Sequence, residues 1–253
     1  MKNKSLSCAS CFSWFRFPES SAVNQRIAKV LFAENGPLLP ADRKAFKEEI
    51  EEIYCSYVLD SFHEVMLNVF TDEDHDYSCL AQIDVTLRKN DKALRIAELC
   101  HRAMPYPLLV ILHDGEMVMF SMADKRFSHD GKEQVVLEQV THTGWWKMDQ
   151  LDAFFKAADF KQFRQADFKQ LYAHYTALLD MLKTAEITGT FREDKLTPDE
   201  RRKLLADLHE LQIQLDALKT KAKKEAELSR LVEINMQAKK LNHEIHEIHE
   251  KLK

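Results

Sequence analysis

The sequence predicts an α+β fold, with a mixed sheet and flanking helices followed by further helices and a long C-terminal coiled-coil arm. Three observations carry this. Strand-like runs, some alternating with period two, recur between residues 53 and 142, with one amphipathic helical stretch among them. From residue 148 onward the apolar spacing turns helical and stays so. Between residues 199 and 253 there is neither Gly nor Pro, and leucines recur at heptad spacing.

Residues 1–20 read as an irregular N-terminus and 21–147 as the α+β domain. Ile27, Val30 and Leu31 lie at i, i+3 and i+4, which predicts a short helix over 24–32. Gly36-Pro37 and Pro40 break the chain, and Asp42 caps a helix over 43–52. The runs 53–59, 65–70 and 78–87 then suit strands. In the third, Leu80, Gln82, Asp84 and Thr86 alternate with Ala81, Ile83, Val85 and Leu87, so the two sets face opposite ways. The acidic connector 71–76 reads as a solvated hairpin loop.

Leu94, Ala97 and Leu99 mark a helix over 91–104 that Pro105 and Pro107 end. The run 108–112 is apolar throughout, as a strand buried on both faces must be, so strand, helix and strand make a βαβ unit. Asp114-Gly115 between apolar runs signals a two-residue hairpin, and 134–142, after the turn at Asp130-Gly131, a further strand. Trp145 and Trp146 close the core where the sheet gives way to helices over 148–157 and 165–188; the segment 148–190 is expected to pack on the domain. Thr197, Pro198, Asp199 and Glu200 supply an N-cap, a first-position proline and acidic first-turn residues for the arm 197–253.

In the arm, Leu204, Leu208, Leu211, Leu215 and Leu218 form one heptad set, and Leu231, Ile234, Ala238, Leu241, Ile245, Ile248 and Leu252 a second, out of phase with the first across the lysine-rich 219–224. A stutter, a change of packing partner or a hairpin turn would each explain the shift. The absence of Gly and Pro favours a near-continuous helix of about 50 residues, roughly 75 Å long.

A net charge of −5 argues against a surface that is nucleic-acid footprint throughout, and leaves room for a local basic strip. Five cysteines, odd in number and widely spread, do not form a secreted disulfide framework and read as reduced thiols. No run of about 18 apolar residues offers a membrane span. The expected location is cytoplasmic.

The stretches Asn24-Gln25-Arg26-Ile27-Ala28-Lys29, Cys100-His101-Arg102-Ala103-Met104-Pro105-Tyr106-Pro107-Leu108-Leu109, Ala123-Asp124-Lys125-Arg126 and Leu231-Val232-Glu233-Ile234-Asn235-Met236 together resemble a bacterial family of unknown function, over roughly residues 20 to 250. Its members resemble accessory genes beside superfamily 2 helicases and site-specific DNA methyltransferases in restriction-like, phage-defence clusters. The resemblance implies a helicase or methyltransferase partner and carries no catalytic residues.

The order helix, three strands, helix, strand also matches the core of restriction-endonuclease-like nucleases, whose sites hold Mg²⁺ between carboxylates on adjacent strands with a lysine nearby. Asp60, Asp84 and Lys89 are the candidates here, with Glu64 at the start of the second strand and Glu48 or Glu49 on the first helix. The Asp/Glu-x-Lys triplet is missing, since Gln82-Ile83-Asp84 and Asp84-Val85-Thr86 both lack the lysine. A non-catalytic accessory subunit is therefore expected ahead of a Mg²⁺-dependent nuclease, with no cofactor in the first case.

Arg26, Lys29, Arg102, Lys125 and Arg126 are candidates for a phosphate-contacting strip. The seam residues Leu208, Leu211, Leu215, Ile234, Leu241, Ile245 and Ile248 are candidates for partner binding or for homo-oligomerisation. Cys8-x-x-Cys11 lacks a second ligand pair, and His243, His246 and His249 diverge around their helix, so no metal site is expected.

Overall fold

The computed structural model describes residues 14–34, 39–62, 66–128, 131–164, 166–192 and 195–253. Cys8, Cys11, Gly36, Pro37, Glu64 and Asp130 lie outside them. The chain forms two compact units, residues 1–179 and 180–253.

The first unit is built on a mixed sheet in the order β1 (Ala22–Arg26), β2 (Ile50–Asp60), β5 (Cys79–Leu87), β6 (Leu108–His113), β7 (Met117–Ser128) and β8 (Gly131–His142), with β9 (Trp146–Lys147) also paired to β7. All neighbours are antiparallel except β5 and β6, which are parallel and joined by helix α3 (Ala93–Ala103). The α+β class and the βαβ unit therefore stand as the sequence predicts. β3 (Phe70–Thr71) and β4 (Asp76–Tyr77) form a separate two-stranded ribbon, so the strand expected over 65–70 shrinks to two residues off the main sheet.

Alternation along β5 divides the unit into two layers. Ala81, Ile83, Val85 and Leu87 pack with Ile96, Ala97, Leu99 and Cys100 of α3, with Phe46 of α2 (Pro40–Glu48) and with Phe32 of α1 (Lys29–Glu34). Each of the larger side chains among them (Val, Leu, Ile and Phe) contributes about 1.5–3 kcal/mol. Elsewhere in the unit, aromatic rings cluster: Phe15, Phe120, Phe154 and Tyr175 meet at centroid distances of 5.1–6.2 Å, mostly edge to face. Phe154 lies on α4 (Asp152–Ala157) and Tyr175 on α5 (Phe168–Thr188).

Three local readings are corrected. The segment expected as a helix over 24–32 enters as β1, an irregular edge strand with Asn24 at φ 50, and turns helical only at Lys29. Pairing to β2 overrides the helical spacing of so short a run. The helix expected over 43–52 is displaced to Pro40–Glu48, and Ile50 begins β2 instead. The third correction is the arm. It is two helices, α6 (Pro198–Ala222) and α7 (Leu228–Leu252), separated by a short non-helical segment, rather than one continuous rod.

The second unit follows from that break. Leu205, Leu208, Leu215, Ile245, Ile248 and Leu252 bury against one another, with Ile187, Leu196, Leu204, Leu211, Ala238 and Leu241 partly buried around them. The two out-of-phase heptad sets are the two sides of one hairpin. Thr197 caps α6 with a reciprocal capping box, its hydroxyl accepting from the Glu200 amide while the Glu200 carboxylate accepts from the Thr197 amide at 2.9 Å. No helix among the described residues is long and apolar enough to cross a membrane.

Candidate functional site

The first unit carries three polar sites on its sheet: one within the sheet at Asp84 and one at each end of the parallel strands. Asp84 faces away from the α3 side of β5 and is fully buried. The β2 strand reaches it through a bulge: the register shifts between Cys55 and Tyr57, leaving Ser56 as the extra residue, whose hydroxyl donates to Asp84 Oδ2. Gln82, two residues back on the same face of β5, donates Nε2 to the same oxygen at 2.9 Å. Asp84 Oδ1 and Gln82 Oε1 have no hydrogen-bond partner among the described residues. Burial pushes the Asp84 carboxyl up to about 6, against the two hydrogen bonds that favour its charged form. The same charge adds to burial in raising the Cys55 thiol to about 11.

The nuclease candidates do not come together. Asp60 pairs with Cys79 at the start of β5, while Lys89 lies two residues past Leu87 at its end. At about 3.3 Å per residue they stand roughly 30 Å apart, with Asp84 between them. Asp60 Oδ1 instead accepts from the Phe62 amide at 2.8 Å. Glu49 accepts from the Lys92 amide at 2.9 Å, at the N-terminus of α3, so its carboxylate is a helix cap. No group of three metal-binding side chains occurs among the described residues.

The basic strip divides in two. At the end of the sheet where β5 finishes, Lys29 donates to the Ile50 carbonyl and is held below its ordinary pKa by burial, then by Arg88 and Arg26. Three cations thus gather there, Arg88 joining the two that the sequence placed in the strip. At the other end lie Arg102, Lys125 and Arg126. Arg102 pairs with Glu98 at 2.8 Å and Arg126 with Glu138 at 3.4 Å. Lys125 is buried and donates to the carbonyls of Met104 at 2.8 Å and Tyr106 at 2.7 Å.

Sequence reasoning also missed His113 and His101. His113, buried near the end of β6, shares a hydrogen bond of 3.2 Å between Nε2 and Thr86 Oγ1, and burial lowers its pKa. His101 on α3 meets Ser121 at 3.0 Å and is lowered further, so it is a neutral core imidazole. The usable signal was a histidine within an otherwise apolar stretch, Leu108–His113 for the first and the buried stripe of α3 for the second.

Of the seam residues, Leu208, Leu215, Ile245 and Ile248 are buried within the hairpin, Leu211 and Leu241 pack partly on that core, and Ile234 is half-buried. The apolar residues left outward on the same helices are Ile213, Leu228, Val232 and Met236.

No curated protein and no solved structure matches the chain. A family model does: residues 15–245 match the domain of unknown function DUF4391, and the chain belongs to that family.

Proposed function

We propose that this protein is a non-catalytic accessory subunit of a bacterial anti-phage defence complex containing a helicase or a DNA methyltransferase. Its first unit is a degenerate restriction-endonuclease-like core, and it works in the cytoplasm. The observation that carries the reading is Asp84. The β5–α3–β6 connection is the one expected of the nuclease core, although only β2 and β5 of its three leading strands lie in the sheet, and Asp84 lies in the strand expected to bear the metal-binding carboxylate. Here Ser56 and Gln82 occupy one of its oxygens and no lysine accompanies it, while Thr86 stands two residues on. The accompanying acid and base of an active site, Asp60 and Lys89, stand at opposite ends of β5. A core of that kind holds nucleic acid by charge and shape rather than cutting it.

The Arg26, Lys29 and Arg88 end is the surface suited to phosphates, and the hairpin is the docking element. Because the seam leucines are consumed within the hairpin, a partner would engage the outward Ile213, Leu228, Val232 and Met236. The defence role rests on the resemblance of the sequence to genes in such clusters.

The test is affinity purification of the tagged protein from its native operon, followed by sizing, identification of bound proteins and an assay for Mg²⁺-dependent DNA cleavage. Co-purification with a helicase or methyltransferase and no cleavage by the isolated chain is the expected result. A lone species that cuts DNA, with activity lost in Asp84→Ala, overturns it.

A further inference from the structure

We propose that the outer face of α7 beside the hairpin tip is a docking site for an acidic amphipathic helix of a partner protein. This rests on the hairpin's being the docking element and names the chemistry of what it binds.

Packing in the second unit leaves that face uncovered. Of the buried seam residues, all but Leu215 lie in the half of the hairpin remote from its turn, and Ile187 and Leu196 pack against that core. Nearer the turn, Leu218, Leu231 and Ile234 are only half-buried. Leu228, Val232 and Met236 are 75%, 51% and 69% exposed. Their i, i+4, i+8 spacing sets them in one stripe along about 12 Å of α7. Leu228 is three residues from Leu231, so the apolar surface runs from the edge of the seam onto the outer face. Large apolar side chains at this spacing are what the apolar face of another helix covers.

Charge defines the occupant. Seven cations and three carboxylates fall between residues 219 and 240, a net +4 in a chain whose total is −5. The cations bracket the stripe: Lys223 and Lys224 precede Leu228 in the non-helical segment, and Lys239 and Lys240 follow Met236 by one turn. All four are exposed. Among the described residues Lys223, Lys224 and Lys239 have no ion-pair partner, and Lys240 reaches only Glu244, at 3.7 Å. The nearby carboxylates do not offset them, since Glu225 accepts from the amides of Ala226 and Glu227, and Glu227 pairs with Arg230 at 3.0 Å.

A second copy of the chain does not fit this face. Two stripes packed antiparallel about Val232 would bring Lys239 and Lys240 of each copy against Lys223 and Lys224 of the other, and parallel packing would set like on like. Residues 197–253 hold no aromatic ring, so the face lacks both the stacking platform of a single-strand binder and the anchors of a membrane interface. A partner helix whose apolar stripe is flanked by carboxylates complements the apolar surface and the charge together.

The full-length protein is titrated into a fluorescein-labelled synthetic helix of about 15 residues, with leucines at heptad spacing flanked by glutamates, and binding is followed by anisotropy. Saturable binding is expected, weakened about tenfold or more by raising NaCl to about 0.5 M. The same loss is expected in Val232→Glu with Met236→Glu and in Lys223→Glu with Lys224→Glu, each checked for helical content by circular dichroism. Absence of binding overturns the proposal, as does equal affinity for a peptide with serine in place of leucine or lysine in place of glutamate. Affinity unchanged in either folded variant is equally fatal, and so is displacement of the peptide by a DNA duplex or by phosphatidylglycerol vesicles. The assay needs no native partner: peptide binding by a chain that recruits neither helicase nor methyltransferase sinks the accessory role alone, and the converse sinks this proposal alone.

Discussion

Replacing Asp84 by Asn removes an ionisable group from the middle of the sheet while keeping its shape. The folded carboxyl titrates at about 6 against an ordinary 3.8, because burial disfavours the charge more than Ser56 and Gln82 favour it. A folded pKa above the unfolded one means that the native state holds a proton the unfolded chain has released. Stability is therefore highest below pH 3.8, falls as pH rises toward 6, and is flat above. Two units at 1.36 kcal/mol each make the penalty about 3 kcal/mol at pH 8. Asp84→Asn escapes it and can still accept from Gln82 and Ser56, so the variant should be more stable than the parent by about 1–3 kcal/mol at pH 8 and no more stable at pH 4. Urea unfolding followed by tryptophan fluorescence at pH 4, 5, 6 and 8 measures the difference, since Trp14, Trp145 and Trp146 all belong to the first unit. A parent-to-variant difference that does not change with pH refutes the assignment of a buried, disfavoured carboxylate.

Three further substitutions probe the rest of the molecule. Ile248→Ala empties a core position of the hairpin and should cost about 2–4 kcal/mol, read as a lower midpoint for loss of helical circular dichroism. Thr197→Ala breaks the capping box of α6 and should lower stability in the same assay by about 1 kcal/mol, whereas Thr197→Ser should retain most of it. Gly115 holds φ at +96 in the β6–β7 hairpin with open space around it, so Gly115→Ala should cost about 1–2 kcal/mol through backbone strain alone, seen in chemical denaturation of the first unit.

What could be read from the sequence depended on how local its cause was. β5, β6 and α3 were legible because alternation, a continuous apolar run and two prolines each act within ten residues or so. The Asp114-Gly115 hairpin was legible for the same reason: only glycine suits the positive φ, and Asp114 Oδ1 accepts from the amides of Glu116 and Met117 at 3.2 and 3.0 Å. β1 was not, because what makes it a strand is the unpaired edge of β2, whose partners lie 28 to 35 residues further along the chain. The site was partly legible. Asp84 stood out as a carboxylate on an alternating strand, but its neighbour Ser56 is delivered by a bulge, and nothing in the 50–60 run announces one. Lys125 was visible as a cation and read as a surface phosphate ligand; that it is buried against the carbonyls of Met104 and Tyr106 depends on where the turn after α3 meets β7.

The arm shows how phase outweighs composition. Two heptad sets in register would favour a rod with a separate partner along its whole length; two sets out of register cannot both face one straight partner. The lysines at 219, 221, 223 and 224 fall where the register breaks and are all exposed, Lys219 and Lys221 in the last turn of α6 and Lys223 and Lys224 just beyond it. Folding back lets each set serve as the other's partner, which satisfies Leu208, Leu215, Ile245 and Ile248 within the chain. A polar substitution at those four positions therefore unfolds the hairpin and says nothing specific about assembly. The discriminating positions are the outward ones. Val232→Glu and Met236→Glu leave the hairpin core untouched, so loss of a co-purifying partner in that double variant, with helical content retained, would separate docking from folding.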